Sequence, residues 1–168
     1  MTYERFEDTP VWQAAIALAD EVFNLVRDRE FGPLGDLRNQ LQRASLSISN
    51  NIAEGFERGT TADFLTFLYI ARGSAGEVRS ALRFAQLRPE LAHCKDRIES
   101  LIEQVEAVSR QLRGWANSLQ NSDIPGQRRL NEQTQLEYRQ NRRAEAFLEK
   151  IQETRDAVIK KANEGRKE

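Results

Sequence analysis

The chain has one histidine and one cysteine, and they are neighbours, His93 and Cys94. Nucleophilic catalysis by a Ser-His-Asp or Cys-His arrangement would therefore have to run through this pair, and it requires geometry as well as residue type. Glu90 stands three residues before His93. Carboxylate-bridged dimetal sites in helical bundles use Glu-x-x-His from each of two helices, together with further glutamates. Here the spacing occurs once, directly after Pro89 at a helix entrance, which predicts an exposed turn. No Gly-rich phosphate loop, Cys-x-x-Cys or pair of metal-spaced histidines accompanies it. The expectation is a chain with no catalytic residue, no metal ligand and no cofactor.

Asn50, Asn51 and Glu54 place polar groups in otherwise apolar surroundings. One reading is that Asn51 and Glu54 hydrogen-bond across helices or to a loop backbone and fix the register. The other is a ligand-binding or catalytic carboxylate, but no histidine or lysine stands nearby in sequence. Arginine is the remaining candidate. Arg38, Arg43, Arg58, Arg72, Arg79 and Arg83 decorate the middle of the chain, and Arg128, Arg129, Arg139, Arg142 and Arg143 cluster in the tail. Guanidinium groups suit phosphates through paired hydrogen bonds, and neutralising several phosphates gives a strongly salt-dependent affinity. Against this, acids are interspersed throughout and the formal net charge is −1, as ordinary solvated faces would also give.

The elements that must position these residues follow from apolar spacing. Thr9-Pro10 reads as an N-cap and first helical residue, and Val11, Ala14, Ala15, Leu18, Val22, Leu25 and Val26 trace one face of a helix from about residue 10 to 29. Phe31-Gly32-Pro33-Leu34-Gly35 breaks it. Leu37, Leu41, Ala44, Ile48, Ile52 and Phe56 form a second stripe. Gly59 ends that helix, and Thr60 with Asp63 fits the Ser/Thr-x-x-acid cap of the next. Phe64, Leu68, Ala71, Ala75, Val78, Leu82 and Ala85 then alternate four and three, a coiled-coil-like seam. Gly73, Ser74, Ala75 and Gly76 lie mid-helix, where glycine costs about 0.8–1 kcal/mol relative to alanine; close approach of a partner helix is the expected offset. Pro89 closes the third helix, and Ile98, Leu101, Ile102, Val105, Val108, Leu112, Trp115 and Leu119 stripe a fourth, from about residue 92 to 119.

These spacings predict an all-α, antiparallel up-down four-helix bundle over residues 1–120 and a linker at 121–127. A charged C-terminal helix over 128–168 is expected beyond it, with a thin stripe of Leu136, Phe147, Ile151 and Val158. Hydrophobic residues make up 39% and charged residues 30% of the chain, which suits a helical protein with charged outer faces. No apolar run approaches the roughly 20 residues that cross a bilayer. The acidic, polar N-terminus and the single cysteine fit the cytoplasm.

The run from Arg43 to Val78 resembles the signature of the bacterial four-helix-bundle family of 23S ribosomal RNA intervening-sequence proteins, which includes the accessory variability proteins of diversity-generating retroelements. The matching residues are Arg43-Ala44-Ser45, Ser47-Ile48, Asn51-Ile52-Ala53-Glu54-Gly55-Phe56, Asp63-Phe64 and Phe67-Leu68-Ile70-Ala71-Gly73-Ser74. Val11-Trp12-Gln13 and Leu37-Arg38-Gln40-Leu41 resemble the family's opening helix and the start of its second. Ser49 departs from the family's usual proline, and Glu77-Val78 from a more usual Glu-Leu. The resemblance implies a four-helix protomer in a ring-like homopentamer without enzymatic activity. For the retroelement members it further implies an accessory that binds RNA or DNA and a reverse transcriptase. Phe67, Tyr69 and Ile70 outside the third helix's seam, with Trp12 and Phe23 on the first, are apolar surface that association would bury. Two functions compete: a nucleic-acid-binding accessory, and a purely structural assembly or protein-interaction adaptor whose arginines only solubilise.

The thin stripe beyond the linker generates a prediction. A chain truncated from Gly126 onward should still melt in one cooperative transition, measured by circular dichroism; loss of cooperativity would contradict the domain boundary.

Overall fold

Pro10 opens the first helix at no hydrogen-bonding cost, because its missing N–H is one that a helix start leaves unpaired. In the computed structural model, which describes residues 3–121, helix α1 spans Pro10–Leu25, α2 Gly35–Glu57, α3 Thr61–Gln86 and α4 Lys95–Gln120. Three 3-10 turns, Phe6–Asp8, Arg29–Phe31 and Pro89–Cys94, complete the order. Among the described residues there is no β-strand, and the fold is all-α.

Each helix packs on the next around the ring α1, α2, α3, α4 and back to α1. Cross-helix pairs fix the directions. Ser47 lies against Ser74 with their hydroxyl oxygens 2.9 Å apart, while Gln40 reaches Glu77 at 3.5 Å. Between α3 and α4, Arg83 meets Glu99 at 3.2 Å, Arg79 meets Glu106 at 3.6 Å, and Gln120 donates to the Tyr69 hydroxyl at 2.7 Å. One number climbs as the other falls, so both neighbours are antiparallel. The α3 seam Phe64, Leu68, Ala71, Ala75, Val78, Leu82 and Ala85 is buried throughout, facing Leu18, Ile48, Ile52, Leu101 and their neighbours in one core. Leu37, Trp115 and Leu119, at the ends of their stripes, are partly buried and pack against it. At one end of the bundle Phe64 stacks edge-on with both Phe56 and Trp115, ring centroids 6.0 Å and 4.7 Å away.

The turn between α2 and α3 follows the expected chemistry. Gly59 holds φ at +79°, the left-handed region that a Cβ disfavours. The Thr60 hydroxyl accepts from the Asp63 N–H at 3.1 Å and donates to the Asp63 carboxylate at 2.6 Å. Thr9 differs. Its hydroxyl donates back to the Phe6 carbonyl at 2.6 Å and caps no N–H of α1, because the preceding 3-10 turn leaves that carbonyl directly beneath it. Helix α1 also stops at Leu25, four residues early: the Asp28 carboxylate accepts from the Glu30 N–H at 3.0 Å and starts a 3-10 turn that seats Phe31 in the core. Likewise α4 begins at Lys95, after the 3-10 turn from Pro89 has buried Leu91 and Cys94. The expected 121–127 linker after Asn121 and the 128–168 helix lie outside the described residues.

Of the cluster Gly73 to Gly76, Ser74 and Ala75 pack inward within the protomer, Ser74 against Ser47, and the two glycines do not. A Cβ built on Gly73 or Gly76 meets nothing within 4 Å, since the seam turns Ala71, Ala75 and Val78 inward and these two glycines outward. The tight site is Gly55, where a Cβ would fall 2.5 Å from the Phe67 Cβ and 3.0 Å from the Phe64 ring. Gly55→Ala should therefore destabilise the protein by about 1–3 kcal/mol, the usual cost of forcing an extra methyl into a packed interface. Gly114→Ala, at an exposed α4 position with nothing within 4 Å, should stabilise it by up to about 1 kcal/mol. Urea denaturation of the two variants checks both signs.

Candidate nucleic-acid interface

Arg72 and Arg79 stand two turns apart on α3, and Arg110 and Arg113 one turn apart on α4, so each pair shares a helix face. The antiparallel packing of α3 on α4 brings the two pairs together along one open groove, lined by Arg72, Arg79, Glu106, Ser109, Arg110 and Arg113. A contiguous recess reaches Ala75, Gly76 and Val105. The space exists because the side chains between the helices there are small, which gives the outward Gly76 a local consequence.

Charge along this pair of helices is graded. Toward the C-terminal end of α3, Arg83 is paired with Glu99, which also accepts from Gln86. Midway, Arg79 lies 3.6 Å from Glu106. Beyond that, Arg72, Arg110 and Arg113 are exposed and have no carboxylate within ion-pairing distance among the described residues. Among the described residues, four guanidinium groups thus line the groove with a single carboxylate. Such a groove concentrates anions within a Debye length of about 8 Å at physiological salt, and each guanidinium can offer two parallel N–H donors to a phosphate. The arrangement can therefore hold a polyanion, with Glu106 and Ser109 as the groove's other polar side chains.

The other arginines are dispersed. Arg58 is absorbed by the fold, 2.7 Å from Glu54 one turn away and 4.7 Å above the Phe67 ring. Arg38 lines a separate recess with Arg27, Asp28 and Arg29. Arg43 is exposed on α2. Arg128, Arg129, Arg139, Arg142 and Arg143 lie outside the described residues. Arg110 and Arg113 are the groove residues that apolar spacing passes over. The signal was available in Glu106, Arg110 and Arg113, which recur at four and three on the polar side of the α4 stripe.

The polar residues of α2 divide. Asn51 donates to the Ser47 carbonyl at 2.7 Å and to its hydroxyl at 3.0 Å, and Ser47 in turn meets Ser74 across the helix pair. Asn51 thus supports the register through Ser47. Asn50 and Glu54 are exposed, because their positions fall off the face that carries Ile48, Ile52 and Gly55; the expected cross-helix bond of Glu54 is replaced by its ion pair with Arg58 on the same helix.

Glu90 and His93 do not converge. Glu90 faces Arg88 at 3.5 Å, whereas His93 Nε2 lies 2.8 Å from the Asp28 carboxylate. The same carboxylate oxygen is 3.7 Å from the Cys94 sulfur. The Glu30 N–H first, and His93 second, hold the Asp28 carboxyl below its ordinary range. Burial, followed by the charge of Asp28, pushes the Cys94 thiol up, away from the thiolate that a nucleophile needs.

The family model described as 23S rRNA-intervening sequence protein matches residues 7–114, a span that holds the first three helices and most of α4. No curated protein matches the chain significantly.

Because Arg72, Arg110 and Arg113 are exposed and unpaired among the described residues, replacing all three with alanine should change unfolding stability by no more than about 0.5 kcal/mol per site. Urea denaturation of the triple variant measures this, and a larger loss would assign the side chains to the fold.

Proposed function

The chain belongs to the 23S rRNA-intervening sequence protein family, and from that premise we propose that it is a non-catalytic, oligomeric accessory protein that binds RNA or DNA through the α3/α4 groove. One observation carries the reading: among the described residues Arg72, Arg79, Arg110 and Arg113 line that groove with Glu106 as its one carboxylate. Arg72 and Arg79 are about 10 Å apart along the helix axis, a span of several successive charges on a strand whose phosphates recur every ~3.4 Å. The overall charge of −1 does not oppose this, since a local face and not the net charge meets the ligand.

Self-association has its own support. Tyr69, Gly73, Gly76, Ser80, Phe84 and Leu87 recur at three and four along the outer side of α3 and are all exposed, Leu87 by 76%. Large apolar groups at the ends of a row of small ones are suited to a second helix lying close, and a ring of five copies is the assembly we propose. On the motif resemblance alone, a reverse transcriptase is the protein partner. Among the described residues no helix is long and apolar enough to cross a membrane, and the cytoplasm is the compartment we propose. The same outer row of α3 favours the second reading, a structural or protein-interaction adaptor that binds no nucleic acid.

Fluorescence anisotropy with a labelled structured RNA at about 50 and 200 mM salt separates the two. Binding that weakens steeply with salt is expected. The triple variant Arg72→Ala, Arg110→Ala, Arg113→Ala should flatten the log–log salt slope by about 2–3, near one unit per lost phosphate contact. Arg83→Ala, at the neutralised end, should leave the slope nearly unchanged. Absence of salt-sensitive binding by the intact protein would leave the adaptor.

A further inference from the structure

The α1–α2 turn and the α3–α4 turn meet at one end of the bundle, and three side chains with metal-binding atoms face one another between them. Asp28 Oδ2 lies 2.8 Å from His93 Nε2 and 3.7 Å from Cys94 Sγ, and all three atoms are within 4.8 Å of one another. We propose that Asp28, His93 and Cys94 form a site for one zinc-class divalent cation that joins the two turns.

The donor set selects the metal class. Imidazole nitrogen, thiolate sulfur and carboxylate oxygen together are zinc ligands, at about 2.0–2.3 Å, whereas magnesium and calcium take oxygen throughout. Tetrahedral bonds of those lengths place nitrogen and oxygen about 3.3 Å apart and sulfur and oxygen about 3.5 Å apart. The two separations from Asp28, 2.8 Å and 3.7 Å, reach those values through shifts of about half an ångström or less, while the His93 nitrogen and the Cys94 sulfur, within 4.8 Å of each other, have to come to about 3.5 Å through rotation of the exposed His93 side chain. Asp28 is already aimed: its other oxygen, Oδ1, accepts from the Glu30 N–H at 3.0 Å, the kind of outer hydrogen bond that orients a ligating carboxylate. The His93 side chain is 54% exposed and Cys94 is buried, so the cation reaches the site from solvent while the sulfur stays covered. Binding replaces the His93–Asp28 hydrogen bond, sends the thiol proton to bulk solvent, and leaves the fourth position to water. With thiolate and carboxylate both bound, the divalent charge is neutralised. The site lies away from the basic groove, shares no residue with it, and acts as a tie between turns.

The composition makes the test clean, because the chain has a single cysteine and a single histidine. Tag-free, full-length protein is titrated with cobalt(II) and then zinc(II), following the thiolate-to-cobalt charge-transfer band and the visible bands of tetrahedral cobalt. One equivalent of cobalt should saturate the signal and zinc should abolish it. Cys94→Ser should remove the charge-transfer band, His93→Gln should weaken affinity at least tenfold, and Glu90→Gln should bind as the parent does. Melting in chelator shows that each variant is folded. Absence of the band in the parent protein, or affinity unchanged by His93→Gln, would overturn the site.

Discussion

The bundle depends on how near α2 and α3 come at Gly55. With Phe67 and Phe64 pressed against the glycine backbone, the two helices meet at a distance that any side chain at this position would prevent. That approach sets the register in which Ser47 finds Ser74. It also holds the Phe64 ring where Phe56 on one side and Trp115 on the other meet it edge-on. Such edge contacts add about 0.5–1.5 kcal/mol each beyond the area they bury. The position of α4 is thus tied, through one aromatic ring, to a glycine two helices away.

Helix α3 is consequently used on three sides. Its inward seam supplies core, its α4-facing side supplies Arg72 and Arg79, and its outer side carries the row from Tyr69 to Leu87. The energies divide in the same way. Truncating a core leucine costs about 2–5 kcal/mol, whereas an exposed ion pair such as Arg83–Glu99 contributes about 0–1 kcal/mol. The fold therefore owes little to exposed arginines such as Arg72, Arg110 and Arg113, which have no ion pair among the described residues.

The two ends of the bundle differ in kind. One is closed by Tyr3, Phe56, Phe64 and Trp115, a non-directional packing contact. The other is closed by Phe31 and Leu91 under a polar cover of Asp28, His93 and Cys94, where the hydrogen-bonding geometry is directional.

The apolar spacing alone determined four helices, their inward faces and the Gly59–Thr60 turn, because burial periodicity and left-handed glycine are properties of a few adjacent residues. The same local logic misplaced the helix ends at Arg29 and Ala92, where 3-10 turns seat Phe31 and Leu91 in a core that no short window contains. It also did not separate Ser74 and Ala75, which pack inward, from Gly73 and Gly76, which do not, nor point to Gly55, since small residues in one helix do not reveal which neighbour passes beside them. What only the tertiary structure decided was convergence: Arg110 and Arg113 beside Arg72 and Arg79, and Asp28 beside His93 across 65 residues of chain. Packing determines those meetings, and packing depends on the shapes of all four helices at once.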